Sequence, residues 1–387
     1  MRRLHPLAAL LPGVACAATM TIGILQRADD ERLEPARIAL AYPGQPGGRA
    51  RDAVDMAIDE SRFELEAASL QVAVRVVEAR SADDAASQLA ELDRSGVPGT
   101  LLDVPAAWIS RAAATSMTLI NVGEGADGAR HSICRANLFH TLPSDRMRAD
   151  ALAQALLARR WTGVLLLSGP RPEDATRLAL AQAALKRYGL RQVAARNFRL
   201  SADPRERELA NPLLLTRPAV GGDYDVVWVV DSDGEFARTL PYRIALPRPV
   251  VGDAGLAAVA WAPHFERYGA PQLARRFARQ AQRPMTSFDW AAYVATKALL
   301  RAALQQPGIP TAARLSATLS QPGFTLDGFK GVQLSFRAWD HQLRQPMLLS
   351  DGASVVGTAP VEGIMHAKNV LDTLGTDAPE SPCKGAP

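Results

Sequence analysis

The chain has 387 residues, 48% hydrophobic and 22% charged, the make-up of an ordinary globular chain of about two domains; disorder, collagen and coiled coil are excluded as its main architecture. Its 44 Lys and Arg against 40 Asp and Glu leave a net charge of +4, half of it from Arg2 and Arg3. So small an excess is no footprint for a phosphate backbone, and clusters such as Arg275-Arg276 read as solvated helix faces, so no nucleic-acid partner is expected.

The first residues read as an export signal. Met1 to Pro6 is basic, Leu7 to Ala15 is a short apolar run, and Ala15-Cys16-Ala17 has the A-x-A cleavage pattern. The segment 1–17 is then removed and the mature chain begins near Ala18. A lipoprotein reading would acylate Cys16, but Gly13-Val-Ala-Cys16 lacks the leucine usual three positions before such a cysteine. No later stretch approaches the roughly 18 apolar residues needed to span a bilayer, so the expected place is the periplasm. Cleavage leaves Cys134 and Cys383. An even count in an oxidising compartment suggests one disulfide; two unrelated thiols are the alternative.

Along the mature chain, short β-rich runs alternate with amphipathic ones. Thr21 to Leu25 is a first strand, Arg49 to Phe63 a helix, Val72 to Val77 a strand and Asp83 to Leu92 a helix. Pro98 to Asp103 reads as strand, Ala106 to Ala114 as helix, Thr118 to Val122 as strand and Arg146 to Arg160 as helix. Val164 to Leu167 is a buried strand, Glu173 to Tyr188 a helix stopped by Gly189, Gln192 to Phe198 a strand, Arg205 to Leu215 a helix and Val226 to Val230 another buried strand. The alternation implies parallel sheets covered on both faces, in two α/β units. Two helices follow, Phe265 to Gln280 and Trp290 to Leu304, then Val332 to Phe336 and Met347 to Leu349 as paired strands around Asp340-His341. Residues 27–48 carry no clear period; Ile38 to Tyr42 is a strand or part of a long loop.

Enzyme signatures are sparse. The sequence has no G-x-S-x-G, H-E-x-x-H, C-x-x-C or Walker A loop. Gly123-Glu-Gly-Ala-Asp-Gly128 matches G-x-G-x-x-G after a strand, but the residues from His131 to Phe139 lack the helical period a dinucleotide site needs. His131, Cys134 and His140 match no zinc spacing, and Asp231-Ser-Asp233-Gly-Glu235 lacks the later ligands of a calcium loop. No metal, cofactor or catalytic residue is expected.

Asn137-Leu-Phe-His-Thr-Leu-Pro-Ser-Asp145, leading into Ala151-Leu-Ala153 and Trp161 to Leu167, resembles the crossover of type 1 periplasmic binding proteins, the leucine/isoleucine/valine-binding-like group. There an F-R-T-x-P-S-D stretch leaves one lobe and begins the other; His140 stands where that group has Arg. Gly48 and Ala53 to Glu60 look like its first helix. Trp261, Gly269 to Leu273, Asp289 to Ala292, Asp327 to Gly331, Leu334 to Arg337, Trp339-Asp340 and Gln342 to Pro346 resemble one subgroup more closely. Its members are binding proteins associated with pyrroloquinoline quinone-dependent alcohol dehydrogenase systems.

The resemblance implies two Rossmann-like α/β lobes with a hinge and an interlobe cleft. It implies capture of a small solute for an ABC transporter permease, beside a quinoprotein dehydrogenase system, with an accessory or sensing protein of that system as the alternative. Several chain crossings require discontinuous lobes: 18–142 plus 262–325 as the first, 143–261 plus 326–360 as the second, and 361–387 as a tail. Where the amino-acid binders of the group bring a Ser to hold the ligand's carboxylate, this chain has Asp103-Val-Pro105, which points to a polyol, alcohol-derived, cationic or metal-complexed solute.

Ligands of such sheets sit outside the strands' carboxyl ends. The expected contacts are therefore Asp103, Asn121, Glu124, Ser168 and Asp231, with His140 at the crossover. Trp108, just after Asp103, is the aromatic candidate, whereas Trp290 is expected to pack. Each polar candidate has a plainer reading as a turn or helix cap.

Overall fold

The computed structural model describes residues 18–41, 44–112, 115–218, 222–306 and 308–383. The expected export signal, 1–17, lies outside them.

Five parallel strands form the first sheet: β1 (Ala18–Arg27), β2 (Leu70–Ala79), β3 (Gly99–Asp103), β4 (Thr118–Asn121) and β5 (Leu138–His140), in the order β2-β1-β3-β4-β5. Their connections carry α1 (Pro35–Leu40), α2 (Arg51–Asp59), α3 (Arg62–Ala67), α4 (Ala82–Arg94), α5 (Ala106–Ala112) and α6 (Gly128–His131). The second sheet is parallel too: β6 (Gly163–Ser168), β7 (Arg191–Asn197), β8 (Val226–Val230) and β9 (Val250–Gly252), in the order β7-β6-β8-β9. With it run α7 (Asp145–Ala158), α8 (Pro172–Arg187) and α9 (Pro212–Leu215).

The alternation read from the sequence has its cause in double burial. Every residue of β6 and β8 is buried. Val164, Leu166, Val226 and Trp228 face one core with α7 and α8, while Leu165, Leu167, Val227 and Val229 face another with Phe198 and Phe236. A strand clothed on both faces reads as an unbroken apolar run. In each sheet the strand order reverses beside the first strand, between β1 and β3 and between β6 and β8. The loops leaving those strands are where a doubly wound sheet opens a crevice.

The rest of the chain departs from the expected order. After β10 (Ala257–Val259) come α10 (Ala270–Ala281), α11 (Ser287–Leu304) and α12 (Ala312–Leu319), then the short strands β11 (Leu326–Asp327), β12 (Gln333–Phe336) and β13 (Leu343–Arg344), and finally β14 (Met347–Ser350) and β15 (Val355–Ala359). The segments expected to pair around Asp340-His341 do not pair with each other. β12 joins β11 and β13, whereas β14 joins β10 and β15. Leu326, Leu334, Phe336 and Leu343 pack in the first sheet's core, and Met347, Leu349 and Ala359 in the second's. Residues 326–344, expected with the second lobe, thus pack with the first. The expected helix from Arg205 to Leu215 is broken by Pro212, which opens α9 and disfavours helix at Asn211.

Cys134 and Cys383 form a disulfide with Cα atoms 5.3 Å apart, which ties the tail to the first sheet. The same tail is held to the second, through the Gly375 N–H donating to Asp150 and the Arg187–Glu380 ion pair. Among the described residues no helix is long and apolar enough to cross a membrane.

Candidate ligand-binding cleft

A cavity of about 190 Å³ lies between the carboxyl ends of the two sheets. Arg32, Glu124 and Gly125 line it from the first; Asp145, Arg148, Glu173 and Arg177 from the second; Leu142, Pro143 and Ala258 to Ala260 from the crossings; and Ser287 and Phe288 from α11. Local capping aims these side chains. The Met147 N–H donates to Ser144 Oγ at 3.2 Å, starting α7 so that Arg148 falls one turn in. The Arg171 N–H donates to Asp174, whose other oxygen accepts from the Ser232 N–H at 2.7 Å, fixing the start of α8 and hence Arg177. At α11, Thr286 and Asp289 cap each other reciprocally, and Arg283 pairs with Asp289 at 2.8 Å, presenting Ser287 and Phe288 to the cavity.

The floor on the first side is an ion cluster. Arg32 donates to Asp103 and to Asp30, each at 2.7 Å, and to the Gly123 carbonyl at 3.3 Å. Burial works against the Arg32 charge, but Asp103 and Asp30 outweigh it and hold its proton more tightly than usual. Burial would likewise raise Asp30; Arg32 and Arg27 bring it below the ordinary carboxylate range. Gly123 has to be small here, since a Cβ would stand 2.0 Å from an Asp103 oxygen.

The roof is the segment after β1, which the sequence left unplaced. Ile38 to Leu40 lie in α1, neither a strand nor simply loop. From it Arg37 reaches Asp233, and Gln45 Nε2 donates to the Ser232 carbonyl at 3.2 Å, so the first sheet's loop is bonded to the second's across the opening. Gly44 takes a left-handed φ of 78° and presses on Arg148, where a Cβ would meet a guanidinium nitrogen at 2.7 Å.

No protein-family model matches the sequence, and no curated protein matches it. Solved structures do match the fold. A periplasmic binding protein from Burkholderia mallei aligns over 95% of this chain and 99% of its own, with a TM-score of 0.66 and 16% identity. A branched-chain amino acid ABC transporter periplasmic ligand-binding protein from Burkholderia xenovorans aligns over 88% and 95%, at 0.71 and 17%. A solute-binding protein of an ABC transporter from R. palustris, in complex with benzoate, aligns over 88% and 96%, at 0.65 and 13%. The fold is that of the type 1 periplasmic binding proteins.

Within this type 1 fold the expected contacts divide. Glu124 lines the cavity, but its carboxylate is already taken by the N–H groups of Ala106 at 2.9 Å and Ala126 at 2.7 Å, capping α5. Asp103 lies one bond behind the wall, through Arg32. Asn121 folds its own turn, accepting from the Glu124 N–H at 2.9 Å. Asp231 accepts from the N–H groups of Asp233 and Ala237, and its burial raises its pKa; the buried Ser168 hydroxyl donates to the neighbouring Gly169 carbonyl at 3.4 Å. None of Asn121, Ser168 or Asp231 reaches the cavity wall.

His140 ends β5 beside His341 and Gln342 and does not line the cavity. Its main chain pairs with His341 and Gln342, its ring faces Asn121, and burial, reinforced by Arg130, pushes its pKa well below the usual value. Trp108 packs half-buried against the core behind β3, so the aromatic on the cavity is Phe288 instead. Trp290 is fully buried, with its indole N–H donating to the Gly328 carbonyl at 3.0 Å, as expected of a packing residue.

Sequence reasoning missed Arg32, Arg148, Arg177 and Phe288. Arg148 and Arg177 lie on helices, where an arginine facing a cleft and one facing solvent leave the same pattern. Asp253, which pairs with Arg177, follows β9 directly and would have been found had that three-residue strand been recognised.

Proposed function

We propose that this chain is a periplasmic solute-binding protein that captures a small solute between two lobes and presents it to an ABC transporter permease. The observation that carries the reading is a cavity walled by both sheets and roofed by a loop of one bonded to the other. A solute touching both lobes favours the closed form by the contacts it makes only there. Shifting such a pair of states from 1:99 to 99:1 takes about a 10⁴-fold difference in affinity. The chain acts by binding, not by catalysis, and export by the segment 1–17 puts it in the periplasm. The lobes meet near residues 142–145, 257–262 and 344–347.

The finer placement, beside a pyrroloquinoline quinone-dependent alcohol dehydrogenase system, is supported by the sequence segments from Trp261 to Pro346 that resemble that subgroup. A permease and ATPase encoded beside this gene support transport; a dehydrogenase without them supports the accessory role.

The test of solute binding is a ligand-dependent thermal shift over acids, amines, alcohols and polyols. A true ligand at 100 times its Kd adds about 2.7 kcal/mol of stability. No shift from any class contradicts the reading.

A further inference from the structure

We propose that the tail segment from Leu371 to Thr376 clamps the hinge: it is a fourth link between the lobes, beside the three chain crossings, and confines their parting to the mouth of the cleft. This rests on the two-lobe binding reading and adds how the lobes are held.

Partners alternate along the segment. Toward the first lobe, Arg337 donates to the Leu371 carbonyl at 3.1 Å and the Leu374 carbonyl at 2.6 Å and pairs with Asp372 at 2.9 Å; the Trp339 indole N–H donates to the Thr376 carbonyl at 3.0 Å. Toward the second, the Tyr188 hydroxyl donates to the Thr373 carbonyl at 3.0 Å, Gln154 donates to Thr373 Oγ1 at 3.1 Å, and the Gly375 N–H donates to Asp150 at 2.8 Å. The Leu374 side chain packs in the second core. Residues bonded to opposite lobes are thus neighbours in the chain, and the lobes cannot part here without breaking one set. Beyond the segment, Glu380 pairs with Arg146 and Arg187 of the second lobe, and the disulfide at Cys383 returns the chain to the first.

The segment lies at the hinge itself. Arg344, at one crossing, pairs with Asp372 at 2.8 Å. Met147, just after another, presses on Gly375, where a Cβ would stand 2.7 Å from Met147 Cγ and 3.3 Å from Arg337 Nη1. Gly375 also has a left-handed φ of 87°, so glycine is required where the chain is pinched between a side chain of each lobe.

Strength is distributed unequally between hinge and mouth. Arg337, Asp372 and Asp150 are at most 2% exposed, and breaking such buried pairs leaves a charge uncompensated. The Arg37–Asp233 pair at the mouth is partly exposed and yields easily. Opening therefore parts the mouth while the clamp holds. Lobes so confined stay near the binding geometry, and apparent affinity falls by the fraction of molecules that leave it.

Small-angle scattering and amide hydrogen exchange on the full chain, without ligand, test the clamp. Three variants are compared with wild type. Gly375→Ala forces a methyl between Met147 and Arg337. Tyr188→Phe combined with Glu380→Gln removes bonds to the second lobe. Gly363→Ala is the control, with the same left-handed strain at a φ of 89° but a Cβ that meets nothing within 4 Å. The expected result is a larger radius of gyration and severalfold faster exchange in the roof, 31–47, for the first two, with Gly363→Ala matching wild type. The roof lies outside the tail, so local loosening of the tail would not move it. Wild-type scattering and roof exchange in the first two, or equal expansion in Gly363→Ala, overturns the clamp. If Gly375→Ala fails to fold, the double variant decides. No ligand enters the measurement, so its failure leaves solute binding standing, and a silent solute panel would leave the clamp standing.

Discussion

Arg37 and Asp233 lie 196 positions apart in sequence, yet the guanidinium and carboxylate meet at 2.5 Å across the mouth of the cleft. Arg171 approaches the other oxygen of Asp233 at 3.1 Å, so one carboxylate joins the roof loop to the first turn of the second lobe's helix. All three side chains are partly exposed, and an ion pair of that kind contributes only about 0–1 kcal/mol. It is suited to a latch that holds the roof without locking it.

Asp233→Asn should therefore leave global stability within about 1 kcal/mol of wild type. It should speed amide hydrogen exchange in 31–47 while leaving β1 as slow as before. Raised salt should mimic it in wild type, because exposed pairs are screened. Unchanged exchange in 31–47 would show that the roof is held by its packing alone.

Gly44→Ala should perturb the same place by a different route. The new methyl meets the Arg148 guanidinium, and a left-handed φ costs a non-glycine residue about 1–2 kcal/mol. A melting experiment should show that loss, and a crystal structure should show Arg148 displaced from the cavity. A variant as stable as wild type with Arg148 in place would contradict the tight approach.

Much of the fold was legible and much of the cleft was not, for a physical reason. Runs such as Val226 to Val230 are buried on both faces and advertise themselves, as does Gly189, the stop after α8. Cleft side chains announce nothing of the kind. Glu124 and Asp231 stand after strands, where a binding residue would stand, but spend their oxygens on turn and helix amides. Arg148 looks like any arginine on a helix face, and the roof loop has no period because its residues serve contacts 196 positions away.

The disulfide offers a third test. Its partners are 249 positions apart, and the tail it anchors is also bonded to the second lobe through Gly375 and Glu380. Reduction, or replacement of Cys134 and Cys383 by Ser, should lower stability by about 2–4 kcal/mol. The Cys-less protein should also lose exchange protection first in 370–383. An unchanged unfolding midpoint on reduction would mean that the tail's other bonds suffice.

Acid should act through His140. Burial holds its folded-state pKa well below the unfolded value near 6.5, so the unfolded chain binds the proton first. Stability is then fully present above about 6.5 and lost as pH falls toward the folded pKa, by up to about 1.4 kcal/mol per unit. His341 shifts in the same direction, also through burial. Asp150, pushed up to about 7 by burial, works oppositely, favouring the folded state at low pH and losing that contribution as pH rises toward 7. The readout is therefore a difference: a His140→Gln variant should show a smaller loss than wild type between pH 6.5 and 5 in urea unfolding. Equal losses would remove His140 from the account.

The most direct measurement of solute capture is amide hydrogen exchange with and without a saturating ligand from the panel. Protection should rise together in segments from both lobes and the crossings: 44–45, 123–125, 145–148 and 258–260. Protection confined to one lobe, or to a surface away from these segments such as the groove beside Tyr293 and Lys297, would contradict binding between the lobes.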